Sequence, residues 1–195
     1  AYAPAQTFLG PTPYLQFADS PWVSETFDYF HLETVEDHLF NTPGATLAGG
    51  SVTSSMFGLS SLVDSVDEDD GSVNGTNGFN GTFGDSLFHT GTIIIAFNEG
   101  VLGTLPTHAG LVWTDGAGTV TFEAFDSLGV SLGTSTGSHA DPSTTGATAE
   151  DRFYGVIHTG GISRIEIRNS GGALEADHVQ YGAVPEPGTL AALGL

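Results

Sequence analysis

The strongly negative charge of this chain limits both the partners it can bind and the ways in which it can fold. It contains no lysine and only three arginines, against 23 aspartates and glutamates, so its formal net charge is −20 at pH 7. A surface this acidic repels phosphate backbones and anionic lipid headgroups, which argues against nucleic-acid or membrane-surface binding. The charges also repel one another in a compact chain. We therefore expect dispersed carboxylates or bound cations, with Ca²⁺ favoured because it takes oxygen ligands.

Short apolar segments between glycine and Asx turns predict an all-β fold. The 28 glycines break up long helices, and the apolar runs are rich in Val, Ile, Phe and Thr. Residues 92–98 (TIIIAFN) form a continuous apolar run typical of a buried strand, and residues 162–169 (ISRIEIRN) alternate. Roughly eight to ten such segments, about 8–12 residues apart, predict a two-sheet antiparallel β-sandwich of the jelly-roll kind.

Composition divides the chain into three segments. Residues 1–23 contain four prolines and predict an extended arm, which lies either along its own domain or on a neighbouring chain. Residues 24–183 predict one β-sandwich domain with long acidic loops, and residues 184–195 form a tail. Cysteine is absent, which excludes disulfides and thiolate metal sites. The first residue is Ala1, as expected for a secreted protein after signal-peptide cleavage.

The tail resembles a known sorting signal. Val184, Pro185, Glu186 and Pro187 followed by an apolar run are similar to the PEP-CTERM motif of Gram-negative bacteria that make exopolysaccharide. The resemblance implies export to the cell surface through an exosortase-type system, and the region 160–182 is similar to the closing strand pair of many such proteins. That family shares a tail rather than an activity. Its membrane-spanning helix is not matched, because about eight apolar residues follow the motif and roughly 20 are needed to span.

A segment rich in acidic residues, asparagine and glycine is the first candidate metal site. Its loop offers many oxygen donors within 14 positions, and its glycines let the backbone fold back around an ion. The pattern does not match an EF-hand, because no glutamate stands at the twelfth position. The predicted Ca²⁺ ligands are Asp64, Asp67, Asp69, Asp70 and Asn74.

A second candidate Ca²⁺ site follows from the predicted fold. Jelly-roll carbohydrate-binding modules often hold a structural Ca²⁺ that joins the first core strand to the last. By that resemblance the ligands are Glu25, Asp28 and Asp177.

Three weaker patterns complete the inventory. A third acidic cluster, of the kind that glycosidases use, would comprise Asp115, Glu123 and Asp126. A histidine and carboxylate group that suits Zn²⁺ comprises His31, Glu36, Asp37 and His38. The aromatic residues available for stacking on sugar rings are Tyr14, Trp22, Tyr29, Trp113, Tyr154 and Tyr181. No motif of a metalloprotease, serine hydrolase or phosphate-binding loop is present.

These observations predict a non-catalytic, calcium-stabilised protein of the extracellular surface or matrix. It would self-associate through its terminal segments. The alternative is a carbohydrate-binding module for exopolysaccharide, and a more remote one is a glycoside hydrolase. No membrane span is expected in this chain.

Overall fold

The computed structural model describes residues 5–59, 62–71, 73, 84–143 and 149–185. The strands are β1 (Gln6–Pro13), β2 (Tyr29–Glu33), β3 (Ala45–Gly49), β4 (Ser51–Val52), β5 (Leu87–His89), β6 (Thr92–Phe97), β7 (His108–Gly116), β8 (Val120–Asp126), β9 (Ser131–Gly137), β10 (Arg152–His158), β11 (Ile162–Asn169) and β12 (Leu174–Ala183). The helices are a 3₁₀ turn (Phe17–Asp19), α1 (Thr53–Phe57) and α2 (Glu99–Leu102). Within these ranges no helix has the length and apolar character to cross a membrane.

The strands form two antiparallel sheets that pack face to face. Within the described ranges, the larger sheet has the order β1-β10-β7-β12-β5-β4, with β2 also paired to β12, and the smaller has the order β3-β6-β11-β8-β9. From β5 to β12 the strands follow the eight-strand jelly-roll pattern. In that pattern β12 lies between β5 and β7, and β11 lies between β6 and β8. The predicted two-sheet sandwich is confirmed.

Alternation along the strands builds the core between the sheets. In β11, Ile165 and Ile167 are fully buried, while Arg164 and Glu166 are only partly so. Ile162 is also buried, because a bulge between Ile162 and Arg164 shifts the register of β11 against β8. Apolar burial of this kind contributes about 25 cal/mol per Å² to stability.

The proline-rich N-terminal segment, predicted to lie along its own domain or on a neighbouring chain, contributes a strand to the larger sheet. β1 pairs with β10, and Phe8 lies opposite Val156. Prolines are tolerated here because β1 is an edge strand, one side of which makes no ladder hydrogen bonds. The ladder bonds of β1 are therefore made within its own chain.

A second apolar cluster covers the outer face of the larger sheet. It comprises Tyr14, Trp22, Val66, Val112 and Phe153, each at most 3% exposed. Two of these side chains come from β7 and β10, two follow β1, and Val66 comes from the acidic loop, here residues 62–71. This packing holds the acidic loop against the sheet.

Candidate metal centre

Cross-strand register aligns carboxylates on the outer face of the larger sheet. Glu175 of β12 lies opposite Phe88 of β5 on one side and Asp115 of β7 on the other. Directly opposed residues share a face of the sheet, and Asp177 lies two positions further along β12 on the same face. A bulge that begins at Asp177 then turns His178, with φ at 43°, toward that face as well.

Two hydrogen bonds from backbone N–H groups of the acidic loop to side-chain carboxylates of β12 hold the loop over this face. The N–H of Asp64 donates to Oε2 of Glu175 at 2.9 Å, and the N–H of Val66 donates to Oδ2 of Asp177 at 3.2 Å. Val66 itself is buried in the second apolar cluster. The loop therefore brings its own carboxylates down onto those of the sheet.

Loop and strand ends together bury a large amount of negative charge. Among the described residues, eight carboxylates of this region are at most 6% exposed: Asp64, Asp67, Asp70, Asp115, Glu150, Asp151, Glu175 and Asp177. Buried carboxylates that are not compensated are strongly unfavourable, so their charge must be neutralised by protons or by cations.

The pKa values of these groups follow from this crowding. Burial, and then the charges of Asp151 and Asp115, raise the pKa of Asp64 far above its usual range. Burial raises the pKa of Glu175 to about 7, although hydrogen bonds from the Asp64 N–H and the Ser86 hydroxyl oppose the shift. Burial also raises the pKa of Glu150, which shares a hydrogen bond with Asp115.

The chain supplies little positive charge for compensation. It has no lysine, and two of its arginines, Arg164 and Arg168, bond to Glu166 and Glu123 on the smaller sheet. The third, Arg152, donates from Nη1 to the backbone carbonyl of Asp151 at 2.7 Å. One guanidinium cannot balance eight carboxylates, so full ionisation of the group requires external cations.

Several oxygens in this region lack a hydrogen-bond partner among the described residues. They are Oδ2 of Asp64, Oδ1 of Asp115, Oδ2 of Asp151, Oγ of Ser65 and Oγ1 of Thr114. Native proteins leave few buried polar atoms unpaired, and a bound ion is one accepted explanation for those that are. Asp85 provides the contrast: burial raises its pKa, but hydrogen bonds from Ser54 and Thr53 outweigh burial and lower it overall.

A tighter group lies where the loop meets the bulge of β12. Ligand atoms of Asp69, Asp177 and His178 are all within 4.8 Å of one another. His178 Nε2 is 2.7 Å from Oδ2 of Asp69, and its Nδ1 is 2.9 Å from the hydroxyl of Tyr14. These three residues could hold one metal ion.

The structure unites part of the two predicted sites and separates the rest. Asp177, predicted to bind with Glu25 and Asp28, lies instead with Asp69 of the acidic loop. Glu25 and Asp28 are exposed, and the Asp28 N–H donates to the carbonyl of Ala183. Ala183 is six positions from Asp177, or about 20 Å along a strand, so Asp28 cannot share an ion with Asp177.

Other predicted positions fall outside the site or outside the described residues. Asn74, Glu186 and Pro187 are not among the described residues. Val184 and Pro185 follow β12, and the Val184 N–H donates to Oγ1 of Thr107.

The suggested cluster of Asp115, Glu123 and Asp126 does not form. Asp115 lies on the larger sheet and the other two on β8 of the smaller sheet. Glu123 instead accepts a hydrogen bond from Arg168.

Four residues of the site were not predicted from the sequence: Glu150, Asp151, Glu175 and His178. Each comes from a strand or strand end far in sequence from the acidic loop. The alternation of Glu175 and Asp177 in β12 was the one local signal, since it puts two acids on one face of a strand.

Most of the aromatic candidates for sugar stacking are core residues. Trp22, Tyr14, Trp113, Tyr154 and Tyr181 are each at most 3% exposed. A different pair is accessible: Phe57, 52% exposed, contacts Phe88 edge-on at 5.1 Å between ring centroids. Both rings line a cavity of about 200 Å³ that is also bordered by Asp115 and Glu175.

Comparison with known proteins adds no relative. The chain matches no known protein family, and no curated protein or solved structure shows significant similarity to it.

Proposed function

We propose that this chain is a non-catalytic, calcium-stabilised module of the bacterial cell surface or its extracellular matrix. The observation that supports this most is the burial of eight carboxylates between the acidic loop and the larger sheet. Ca²⁺ suits such a group because it takes six to eight oxygens in loose geometry, including backbone carbonyls and hydroxyls. The ion would bind around Asp64, where oxygens of Asp64, Asp115 and Asp151 lack partners among the described residues.

Calcium binding is tested by thermal unfolding of metal-free protein with and without Ca²⁺. Extracellular sites bind with Kd near 10⁻⁴–10⁻³ M, so about 10 mM Ca²⁺ should stabilise the fold by roughly 1–3 kcal/mol and raise Tm. Asp64→Asn should abolish most of this rise. Glu99→Gln, which removes the same charge from an exposed site on α2, should keep it. Equal melting of the wild type in EDTA and in Ca²⁺ would refute the proposal.

The surface location rests on the tail alone. Val184 to Pro187 resembles the PEP-CTERM signal, and the absence of cysteine is compatible with export. Antibody against the sandwich should label intact cells of the source bacterium. Labelling that appears only after lysis would contradict the location.

A carbohydrate-binding role is the second candidate. The accessible pair of Phe57 and Phe88 beside Asp115 and Glu175 supports it, because aromatic faces next to polar groups suit sugar rings. Phe57→Ala should then weaken binding of the native exopolysaccharide, whereas Leu128→Ala, at an 86% exposed site in the turn between β8 and β9 of the smaller sheet, should not. Unchanged binding by Phe57→Ala would remove this candidate.

A glycosidase has less support. Asp115 and Glu150 share a hydrogen bond, whereas the two catalytic carboxyl groups of a glycosidase are about 5–9.5 Å apart across a sugar.

A further inference from the structure

We propose that Asp69, Asp177 and His178 form a second metal site that takes a borderline transition-metal ion of the Zn²⁺ class rather than Ca²⁺. The first support is geometric. The three ligand atoms lie within 4.8 Å of one another, close enough to share one ion, and Asp177 and His178 are each 1% exposed.

The ligand set determines the metal class. Ca²⁺ is bound by oxygen, whereas an imidazole nitrogen beside carboxylates suits Zn²⁺ and its neighbours in the first transition row. Three protein ligands of this kind leave one position of a tetrahedral Zn²⁺ for water or a fourth side chain. Glu36 faces the same carboxylates, since its charge acts on Asp177 and that of Asp69 acts on it.

The backbone of β12 is shaped to present this set. A regular strand would turn Asp177 and His178 to opposite faces of the sheet. The bulge between Asp177 and Gln180, with His178 at a φ of 43°, turns both toward the acidic loop. Positive φ is uncommon for a residue other than glycine and is concentrated at functional positions.

A buried chain of hydrogen bonds supports His178 from behind. Its Nδ1 is 2.9 Å from the Tyr14 hydroxyl, which is 2.9 Å from Nε2 of Gln180, and Oε1 of Gln180 is 2.6 Å from the Ser20 hydroxyl. Metal-binding histidines characteristically use their second ring nitrogen in such a bond, which fixes the ring and its tautomer.

This series of hydrogen bonds is compatible with both the metal-free and the metal-bound state. Without metal, Nε2–H donates to Asp69, and Nδ1 accepts from Tyr14, which accepts from Gln180. With metal, the imidazole proton sits on Nδ1 and donates to Tyr14, whose hydroxyl donates to a flipped Gln180 amide. Among the non-hydrogen atoms, only those of the Gln180 amide move, since its oxygen and nitrogen exchange places. All other differences between the two states are positions of hydrogens. The free lone pair of Nε2 then faces the metal.

The test is titration of the metal-free protein with Co²⁺, followed by Zn²⁺. The wild type should show a saturable visible absorption from Co²⁺ bound to nitrogen and oxygen, which Zn²⁺ abolishes and excess Ca²⁺ does not. His178→Gln and Asp69→Asn should both lose this signal. Tyr14→Phe should weaken Co²⁺ binding by about 10–100-fold, as expected for a supporting bond. His38→Gln, which alters the partly exposed His38–Asp85 pair, should bind like the wild type.

Several outcomes would overturn the proposal. They are no Co²⁺ signal in the wild type, an unchanged signal in both His178→Gln and Asp69→Asn, or displacement of Co²⁺ by Ca²⁺ at comparable concentration. If His178→Gln does not fold, Asp69→Asn decides, because Asp69 is partly exposed on the loop. The Ca²⁺-dependent rise in Tm should persist in Asp69→Asn, so failure of this site is distinguishable from failure of the calcium proposal.

Discussion

The backbone N–H of Asp64 donates to the carboxylate of Glu175 at 2.9 Å, across 111 positions of sequence. This bond presents the acidic loop to the last strand of the fold. The N–H group stabilises the Glu175 carboxylate, but the same bond also brings the Asp64 side chain next to Asp115 of β7 and Asp151, which precedes β10. Loop closure and charge accumulation are therefore the same event.

Without metal, the unfolding free energy should decrease as pH rises from 5 to 8. Burial raises the pKa of Glu175 to about 7, so between its unfolded value of 4.5 and about 7 the folded state holds a proton that the unfolded state has released. The stabilisation is complete below the unfolded pKa and is lost as pH rises through the folded one. For Glu175 alone the change is about 3 kcal/mol. Denaturant unfolding in EDTA measures it.

Two comparisons check that interpretation. Glu175→Gln should flatten the pH dependence in EDTA, and Ca²⁺ should reduce it in the wild type by favouring the ionised carboxylates. A wild-type stability that rises between pH 5 and pH 8 in EDTA would contradict the expected burial of uncompensated acids.

Gly84→Ala should detach the acidic loop. A Cβ at residue 84 would overlap the Oγ of Ser65 and lie 2.6 Å from its Cβ, so Ser65 and the adjoining Asp64 must move. We expect a loss of about 1–3 kcal/mol in stability and a smaller response to Ca²⁺. Gly100→Ala on α2 is the control, because its Cβ would approach only the Asn98 side chain at 3.2 Å. Equal calorimetric Tm values for the two variants would refute this prediction.

Glu33→Gln should destabilise the fold independently of any metal. The Glu33 carboxylate is 5% exposed and accepts backbone N–H bonds from Val35, Asn41 and Thr42 at 2.8–3.1 Å. The side-chain NH₂ group of glutamine would face a backbone N–H group, and both are donors. We expect the free energy of unfolding in urea to fall by about 1–3 kcal/mol. Glu123→Gln, at a partly exposed ion pair with Arg168, should cost at most about 1 kcal/mol. A smaller loss at Glu33 than at Glu123 would be inconsistent with this assignment.

His108 should titrate below 6.5. It is 5% exposed and packs edge-on against the rings of Trp22 and Phe27, and this burial lowers its pKa while the nearby Glu25 opposes the shift. Its midpoint can be followed by NMR of the ring protons. Glu25→Gln should lower the midpoint further, and a higher midpoint in that variant would show that Glu25 does not act on His108.

The fold class was predictable because its signals are local. The alternation of apolar and polar residues in 162–169 and the frequent glycine turns each depend on only a few neighbouring residues. The continuous apolar run at 92–98 predicted a buried strand, and β6 buries Ile93 and Ile95 while Ile94 remains partly exposed. The difference arises because only one face of the smaller sheet packs on the core, and an isoleucine on the outer face gives no sequence signal.

The candidate site was predictable mainly on its loop side, and Asp177 was the one strand residue predicted as a ligand. The acidic residues between Asp64 and Asp70 are close together in the sequence, so they can be recognised as a candidate site from the sequence alone. Their partners Asp151 and Glu175 join them through contacts between segments more than 80 residues apart in the chain. The same holds for Glu25 and Asp28, whose separation from Asp177 depends on the direction in which β12 runs.

The position of β12 has a consequence for biosynthesis. This strand, the last of the sandwich, lies in the interior of the larger sheet with β7 on one side and β5 and β2 on the other. A chain still emerging from the ribosome therefore has a gap in the middle of that sheet until residue 183 is free. Stable folding of the larger sheet requires residue 183 to have left the ribosome, and until then the chain remains competent for transport or capture by chaperones.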